Sequence, residues 1–76
     1  MNNKTRTQLR KAIKQIEELK NQISEIASEE QEKFDNLPEG LQETDNGYQM
    51  EDAATALEDA LNNLEEAIAN IETAIG

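Results

Sequence analysis

The stretch MEDAATALEDALNNLEEAIANIETAI occupies residues 50–75 and decides the fold. Its apolar residues fall into three columns with a spacing of seven. The columns are Met50, Leu57, Leu64 and Ile71; then Ala54, Leu61, Ile68 and Ile75; then Ala53, Ala60, Ala67 and Ala74. Steps of three and four between columns place all of them on one side of an α-helix. The stretch therefore predicts a coiled-coil-like helix whose alanine column allows a neighbouring helix to approach closely.

A second periodic segment predicts another helix over residues 5–34. Its apolar residues follow steps of three and four, with Lys20 and Glu30 as interruptions. They are Leu9, Ile13, Ile16, Ile23, Ala27 and Phe34. A further column, made by Ala12, Leu19 and Ile26, widens this stripe. A stripe of that width suits a helical hairpin or bundle better than a simple two-stranded seam.

Residues 35–44 form the predicted loop between the helices and hold the only proline, Pro38. Proline disfavours helix at the residue before it, so Pro38 separates the two helical segments. One short helical turn is expected over residues 38–42, with the proline at its first position.

The second helix is expected to cover residues 45–75. Thr44, Asp45 and Asn46 are all suitable N-cap residues. Asn46 followed by Gln49 resembles a capping box.

The predicted fold is all-α: residues 1–76 form one antiparallel, coiled-coil-like helical hairpin. A short connection makes consecutive helices antiparallel neighbours. We expect Leu37 and Leu41 to close the core at the loop end. A chain of 76 residues buries only about 60% of its unfolded surface, which is marginal for a monomer. Dimerisation into a four-helix bundle is therefore expected.

Charge is distributed unevenly along the chain, which has 17 acids, 7 bases and a net charge of −10. Residues 1–20 have a net charge of +4, and residues 21–76 a net charge of −14. An antiparallel hairpin places the basic start of the first helix beside the acidic end of the second. Ion pairs are expected there between the bases of residues 4–20 and the acids of residues 58–72, and many such pairs together favour the antiparallel orientation.

The acids near the loop have no basic segment to neutralise them. Residues 25–52 contain ten acids and one base, Lys33, which predicts an electronegative end of the molecule. The candidate partner-binding residues there are Glu29, Glu30, Glu32, Asp35, Leu37, Glu39, Leu41 and Glu43. Leu37, like Phe34, is also a candidate for the core.

Catalysis is not expected from this composition. The chain lacks Cys and His, which removes thiol and imidazole chemistry and the histidines of a di-iron bundle. Ser24 and Ser28 lie in the helical pattern without a base to activate them. We expect no enzyme activity, no cofactor and no metal site. No membrane partner is expected either, because the apolar runs are too short for a span.

Arg6, Arg10 and Lys14 form a basic cluster with a spacing of four. One interpretation is a phosphate contact, as in small RNA-binding hairpin dimers. Intramolecular pairing with acids is the favoured interpretation, because a net charge of −10 and two aromatic residues are atypical of a nucleic-acid binder.

The stretch EEQEKFDNLPEGLQ at residues 29–42, followed by Gly47, Met50 and Glu51, resembles a loop motif of small acidic helical proteins encoded by phages and prophages of Gram-positive bacteria. In that family the loop joins two helices with a Leu/Ile/Ala repeat, and no activity is assigned. The resemblance implies a phage accessory protein that acts in the cytoplasm of the host cell.

Three functional hypotheses follow. The first is a non-enzymatic protein that binds and inhibits a host protein, such as a component of a defence system. In the DNA-mimic form of this hypothesis, carboxylates occupy a phosphate-binding groove of the target. The second is a self-assembling bundle that serves as a virion or scaffold component. The third is the RNA-binding hairpin dimer.

Overall fold

The computed structural model describes all residues, 1–76, and contains three helices. They are α1 (Asn3–Asp35), α2 (Glu39–Gln42) and α3 (Asp45–Ile75). The prediction of an all-helical fold is confirmed. The long helices α1 and α3 pack against each other in a hairpin with extents of 58 × 15 × 12 Å.

The first helix begins two residues before the predicted start at Thr5. The side chain of Asn2 accepts a hydrogen bond of 2.8 Å from the Thr5 amide. This N-cap satisfies one of the amides that have no partner inside the helix. The helix ends at Asp35, one residue beyond the predicted end.

The expected turn after Pro38 is present as α2, but Pro38 precedes the helix as its N-cap. Its carbonyl oxygen accepts hydrogen bonds from the amides of Leu41, at 2.8 Å, and Gln42, at 3.1 Å.

The N-cap of α3 is Thr44, so the predicted capping box is wrong. Thr44 has an extended backbone, and its hydroxyl oxygen accepts a hydrogen bond of 3.2 Å from the Gly47 amide. The same hydroxyl donates a hydrogen bond of 2.6 Å to the carbonyl oxygen of Leu41. Asn46 and Gln49 lie inside the helix, because α2 ends only two residues before Thr44 and α3 begins at once.

Two polar contacts join the helices in the antiparallel register. At the terminal end, the Arg6 guanidinium donates a hydrogen bond of 3.2 Å to the carbonyl oxygen of Ile75. Near the middle, Lys20 forms a 2.5 Å ion pair with Glu65. This is the one interhelical ion pair in the chain, so the expected set of pairs between residues 4–20 and 58–72 is corrected to a single pair.

The core is one thin seam. Its buried side chains are Ile13, Ala54 and Ile75, and no side chain is fully buried. Most other residues of the apolar columns are half-buried, and Leu19, Ile26, Ala53 and Ala74 are exposed, because a two-helix hairpin covers each helix on one side only. The radius of gyration is 17.2 Å, compared with about 11 Å for a compact chain of this length.

The loop end of the core differs from the prediction. Leu37 and Phe34 are half-buried, but Leu41 is 51% exposed and does not close the core. The apolar stretches of the three helices fall short of what a membrane-spanning helix requires.

Candidate interaction surface at the loop end

Helix α2, with a short turn before it and another after it, connects α1 to α3. The side-chain amide of Gln42 donates hydrogen bonds to the carbonyl oxygens of Phe34, at 3.2 Å, and Leu37, at 3.1 Å. Both carbonyls lie where α1 ends. The Phe34 carbonyl also accepts a hydrogen bond of 3.1 Å from the Leu37 amide, whereas Gln42 supplies the donor to the Leu37 carbonyl. Gln42 therefore ties α2 to the end of α1, and the Thr44 cap ties α2 to the start of α3.

Gly47 allows this close packing between α2 and α3. A Cβ atom placed on Gly47 would lie 2.6 Å from the Leu41 carbonyl oxygen and 2.7 Å from the Gln42 carbonyl carbon. Real Cβ atoms do not approach main-chain atoms so closely. Gly47 is one of the few buried residues of the chain, and the loop reaches this position only because the residue has no side chain.

The structure brings the predicted binding residues to one end of the rod. The last two turns of α1 carry Glu29, Glu30, Glu32 and Asp35, and the connection carries Leu37, Glu39, Leu41 and Glu43. We call these eight residues the acidic loop end. All are exposed except Glu30 and Leu37, which are half-buried.

Little positive charge opposes these carboxylates. Lys33 forms a 3.1 Å ion pair with Glu30, and Asp35 accepts a hydrogen bond of 3.0 Å from Gln31. No other carboxylate of the acidic loop end takes part in an ion pair. A concentration of like charge at one end of a rod creates an outward electrostatic field that attracts basic molecules.

Two large apolar side chains lie exposed at the same end. Leu41 in α2 is 51% exposed, and Tyr48 in the first turn of α3 is 52% exposed. Tyr48 was not among the predicted binding residues. Its signal in the sequence was its place outside the apolar columns that contain Met50 and Ala54, since an aromatic residue off the core face of a helix points to solvent.

Comparison with models of protein families, with curated proteins and with solved structures finds no match to this chain. Nowhere in the chain do three or more acidic side chains converge as a set of metal ligands. The acidic loop end offers exposed carboxylates and Leu41, and Tyr48 lies exposed at the same end, which suits contact with a macromolecule.

The basic cluster at the other end is only partly explained by internal contacts. Arg6 donates hydrogen bonds to Ile75 and to Asn3, at 3.2 and 3.4 Å. Arg10 and Lys14 form no ion pair, so the expected intramolecular pairing of the cluster is wrong for these two residues. The reason is the register: the seam columns place both side chains at its outer edge, where they are exposed.

Proposed function

We propose that this chain is a non-enzymatic phage accessory protein that binds and inhibits a host protein through the acidic loop end. The observation that carries the proposal is the set of exposed carboxylates beside Leu41 and Tyr48, opposed by one lysine. The phage origin and the host cytoplasm come from the resemblance of residues 29–42 to phage-encoded loops.

The partner that fits this surface is a basic, nucleic-acid-binding protein. Carboxylates on a narrow end of the rod would occupy positions that phosphates occupy in the natural complex. Electrostatic attraction of this kind accelerates association and selects basic partners. Leu41 and Tyr48 supply apolar contact area, since large apolar and aromatic side chains contribute most of the binding free energy at many interfaces. A nucleic-acid-binding component of a host defence system is the proposed class of target.

The test is capture of a host protein from the lysate of a Gram-positive bacterium by the tagged chain, at about 0.1 M and about 0.5 M salt. The Debye length falls from about 10 Å to about 4 Å over this range. We expect a prey that is recovered at low salt, lost at high salt and displaced by duplex DNA. Inhibition is then measured on the purified prey as loss of its own DNA-dependent activity.

A matched pair of variants locates the contact. In the first, Glu29, Glu32, Glu39 and Glu43 are replaced by glutamine. In the control, Glu58, Asp59, Glu66 and Glu72 are replaced by the corresponding amides. Both sets are exposed and outside the ion pairs, and both change the net charge by four. Only the first variant should lose the prey. Equal loss from both variants, or capture unchanged at about 0.5 M salt, would contradict the proposal.

Self-association is a second proposal, supported by a separate observation. Leu19 and Ile26 are 51% and 50% exposed in the single hairpin, although they belong to the apolar stripe of α1. Dimerisation into a four-helix bundle would cover them, and a bundle of this kind would serve as a virion or scaffold component.

A further inference from the structure

The two long sides of the hairpin differ in chemistry. One side contains two shallow grooves along the seam. Beside seam residues, the first is lined by polar residues that include Ser24, Gln31 and Glu58, and the second by Arg10 and Glu72. In the sequence, each of these residues comes one position after a residue of the seam. The residues one position before a seam residue lie on the other long side of the hairpin, because successive residues point in different directions around the helix axis.

That other side carries the apolar residues that the seam leaves uncovered. We call it the apolar flank; its main residues are Leu19, Ile26, Ala53, Ala60, Ala67 and Ala74. Leu19 and Ile26 are half exposed, Ala53 and Ala74 are exposed, and Ala60 and Ala67 are partly exposed. Leu19 precedes Lys20, whose partner Glu65 lies two residues before Ala67. The leucine and isoleucine of α1 therefore lie level with the alanines of α3.

The charges avoid this flank. The polar residues that border it are the amides Gln15, Gln22, Asn63 and Asn70, one heptad apart on each helix. Within the flank and its borders, the charged residues are Glu29 and Lys33, which lie near the loop and have opposite signs. A chain of net charge −10 would repel a second copy at the acidic parts of its surface, which this flank largely avoids.

The chain as a whole exposes more surface than a globular monomer of its mass, and the excess exceeds what one partner buries in a stable dimer. A globular monomer of 8.5 kDa exposes about 4,700 Å² by size scaling. This chain exposes 5719 Å², an excess of about 1,000 Å² over that scaling. A stable dimer buries about 800 Å² on each partner.

We propose that two copies of the chain pack through their apolar flanks, with the two hairpins antiparallel to each other. The antiparallel arrangement follows from the charges at the ends. It places the acidic loop end of one copy at the same end of the dimer as residues 1–20 of the other copy, which have a net charge of +4. A parallel arrangement would place two acidic loop ends together, with ten acids and one base in residues 25–52 of each copy.

This proposal specifies the face and orientation of the self-association proposed above. It does not depend on the host target, so its failure would leave binding through the acidic loop end untouched.

Sedimentation equilibrium at micromolar concentrations tests the face. The wild-type chain should show twice its chain mass of 8.5 kDa. The variant Leu19→Glu with Ile26→Glu should be a monomer that keeps its helical circular dichroism spectrum. The control Asn21→Glu with Ser28→Glu adds the same charge to exposed positions of α1 away from the flank, and should remain a dimer.

A neutral variant, Leu19→Gln with Ile26→Gln, separates loss of apolar contact from added repulsion and should also weaken association. A monomeric wild-type chain at these concentrations would overturn the proposal. So would a control that dissociates as fully as the flank variant, since the face would then be wrong. If the wild-type chain is a monomer and its flank variants lose capture of the host protein, the flank binds that protein and not a second copy of the chain.

A distance measurement tests the orientation. The chain has no cysteine, and a Cβ on Gly40 would meet no atom within 4 Å, so Gly40→Cys provides one spin-label site at the loop end. In the antiparallel dimer the two labels should be separated by a distance close to the 58 Å length of the hairpin. A separation below about 30 Å would show parallel hairpins and overturn the orientation, because packed helix axes lie only about 8–10 Å apart.

Discussion

The side-chain amide of Gln42 donates a 3.2 Å hydrogen bond to the main-chain carbonyl oxygen of Phe34, across the connection between the two long helices. A glutamine in a four-residue helix thereby caps a helix eight residues earlier in the chain. The connection consequently has a defined main-chain conformation.

Replacing Gln42 by alanine should destabilise the hairpin by about 1–2 kcal/mol, because the part-buried Leu37 carbonyl loses its donor and the Phe34 carbonyl keeps only the Leu37 amide. In a domain of this size each kcal/mol corresponds to about 4–8 °C in Tm. Thermal unfolding at one fixed chain concentration measures the effect. Gln49→Ala is the control: Gln49 is exposed in α3 and makes no side-chain hydrogen bond, so its Tm should move little. Equal Tm values for both variants would contradict the capping role.

Gly47→Ala and Gly40→Ala should change stability in opposite directions. The added methyl group at Gly47 meets the main chain of Leu41 and Gln42, and relieving such a clash typically costs about 1–3 kcal/mol. At Gly40 the methyl group meets nothing within 4 Å, and the less flexible unfolded chain should add about 0.4–1 kcal/mol to stability. Urea unfolding of the two variants makes the comparison. A Gly47→Ala protein as stable as Gly40→Ala would refute the close approach.

Thr44→Ala should destabilise the chain by about 0.5–2 kcal/mol through loss of the N-cap of α3. Asn46→Ala should change stability by less than about 0.5 kcal/mol, as is usual for an exposed position, because its side chain caps no backbone amide. Chemical unfolding of the pair distinguishes the observed cap from the one that the sequence suggested. The reverse order of the two effects would restore the Asn46 cap.

Salt should raise the Tm of this protein. Only one interhelical ion pair, Lys20 with Glu65, is available to be weakened, and an exposed pair contributes at most about 1 kcal/mol. Repulsion among the acids of residues 25–52 is screened at the same time, which favours the folded chain. The Tm is measured between about 0.05 and 0.5 M salt. Neutralising Glu29, Glu32, Glu39 and Glu43 should flatten the dependence, and a Tm that falls with salt would show that ion pairs dominate.

The periodicity of the sequence was sufficient to predict the helices and the seam, because burial of apolar columns dominates the free energy of a hairpin. Individual contacts at the loop depended on three-dimensional details that periodicity does not contain. Three residues, Thr44, Asp45 and Asn46, were equally suitable caps, and only the end point of α2 selected Thr44. Leu41 was expected in the core, but one short helical turn after Pro38 points it outward.

The excess of negative charge at the loop end was predictable, because the ten acids of residues 25–52 have only one base, Lys33, near them in the sequence. The charge pattern alone did not indicate Tyr48, whose signal was an aromatic residue outside the apolar columns. The pairing of Arg10 and Lys14 was also predicted wrongly, since an antiparallel register brings helices together without bringing their outer charges into contact.

The 58 Å length of the rod has a consequence for valency. Antiparallel association would place one acidic loop end at each extremity of the dimer, roughly a rod length apart. Such a particle would be bivalent, able to engage two basic sites on an oligomeric or repetitive target. The second attachment would then be intramolecular and would raise the overall affinity without any additional contact.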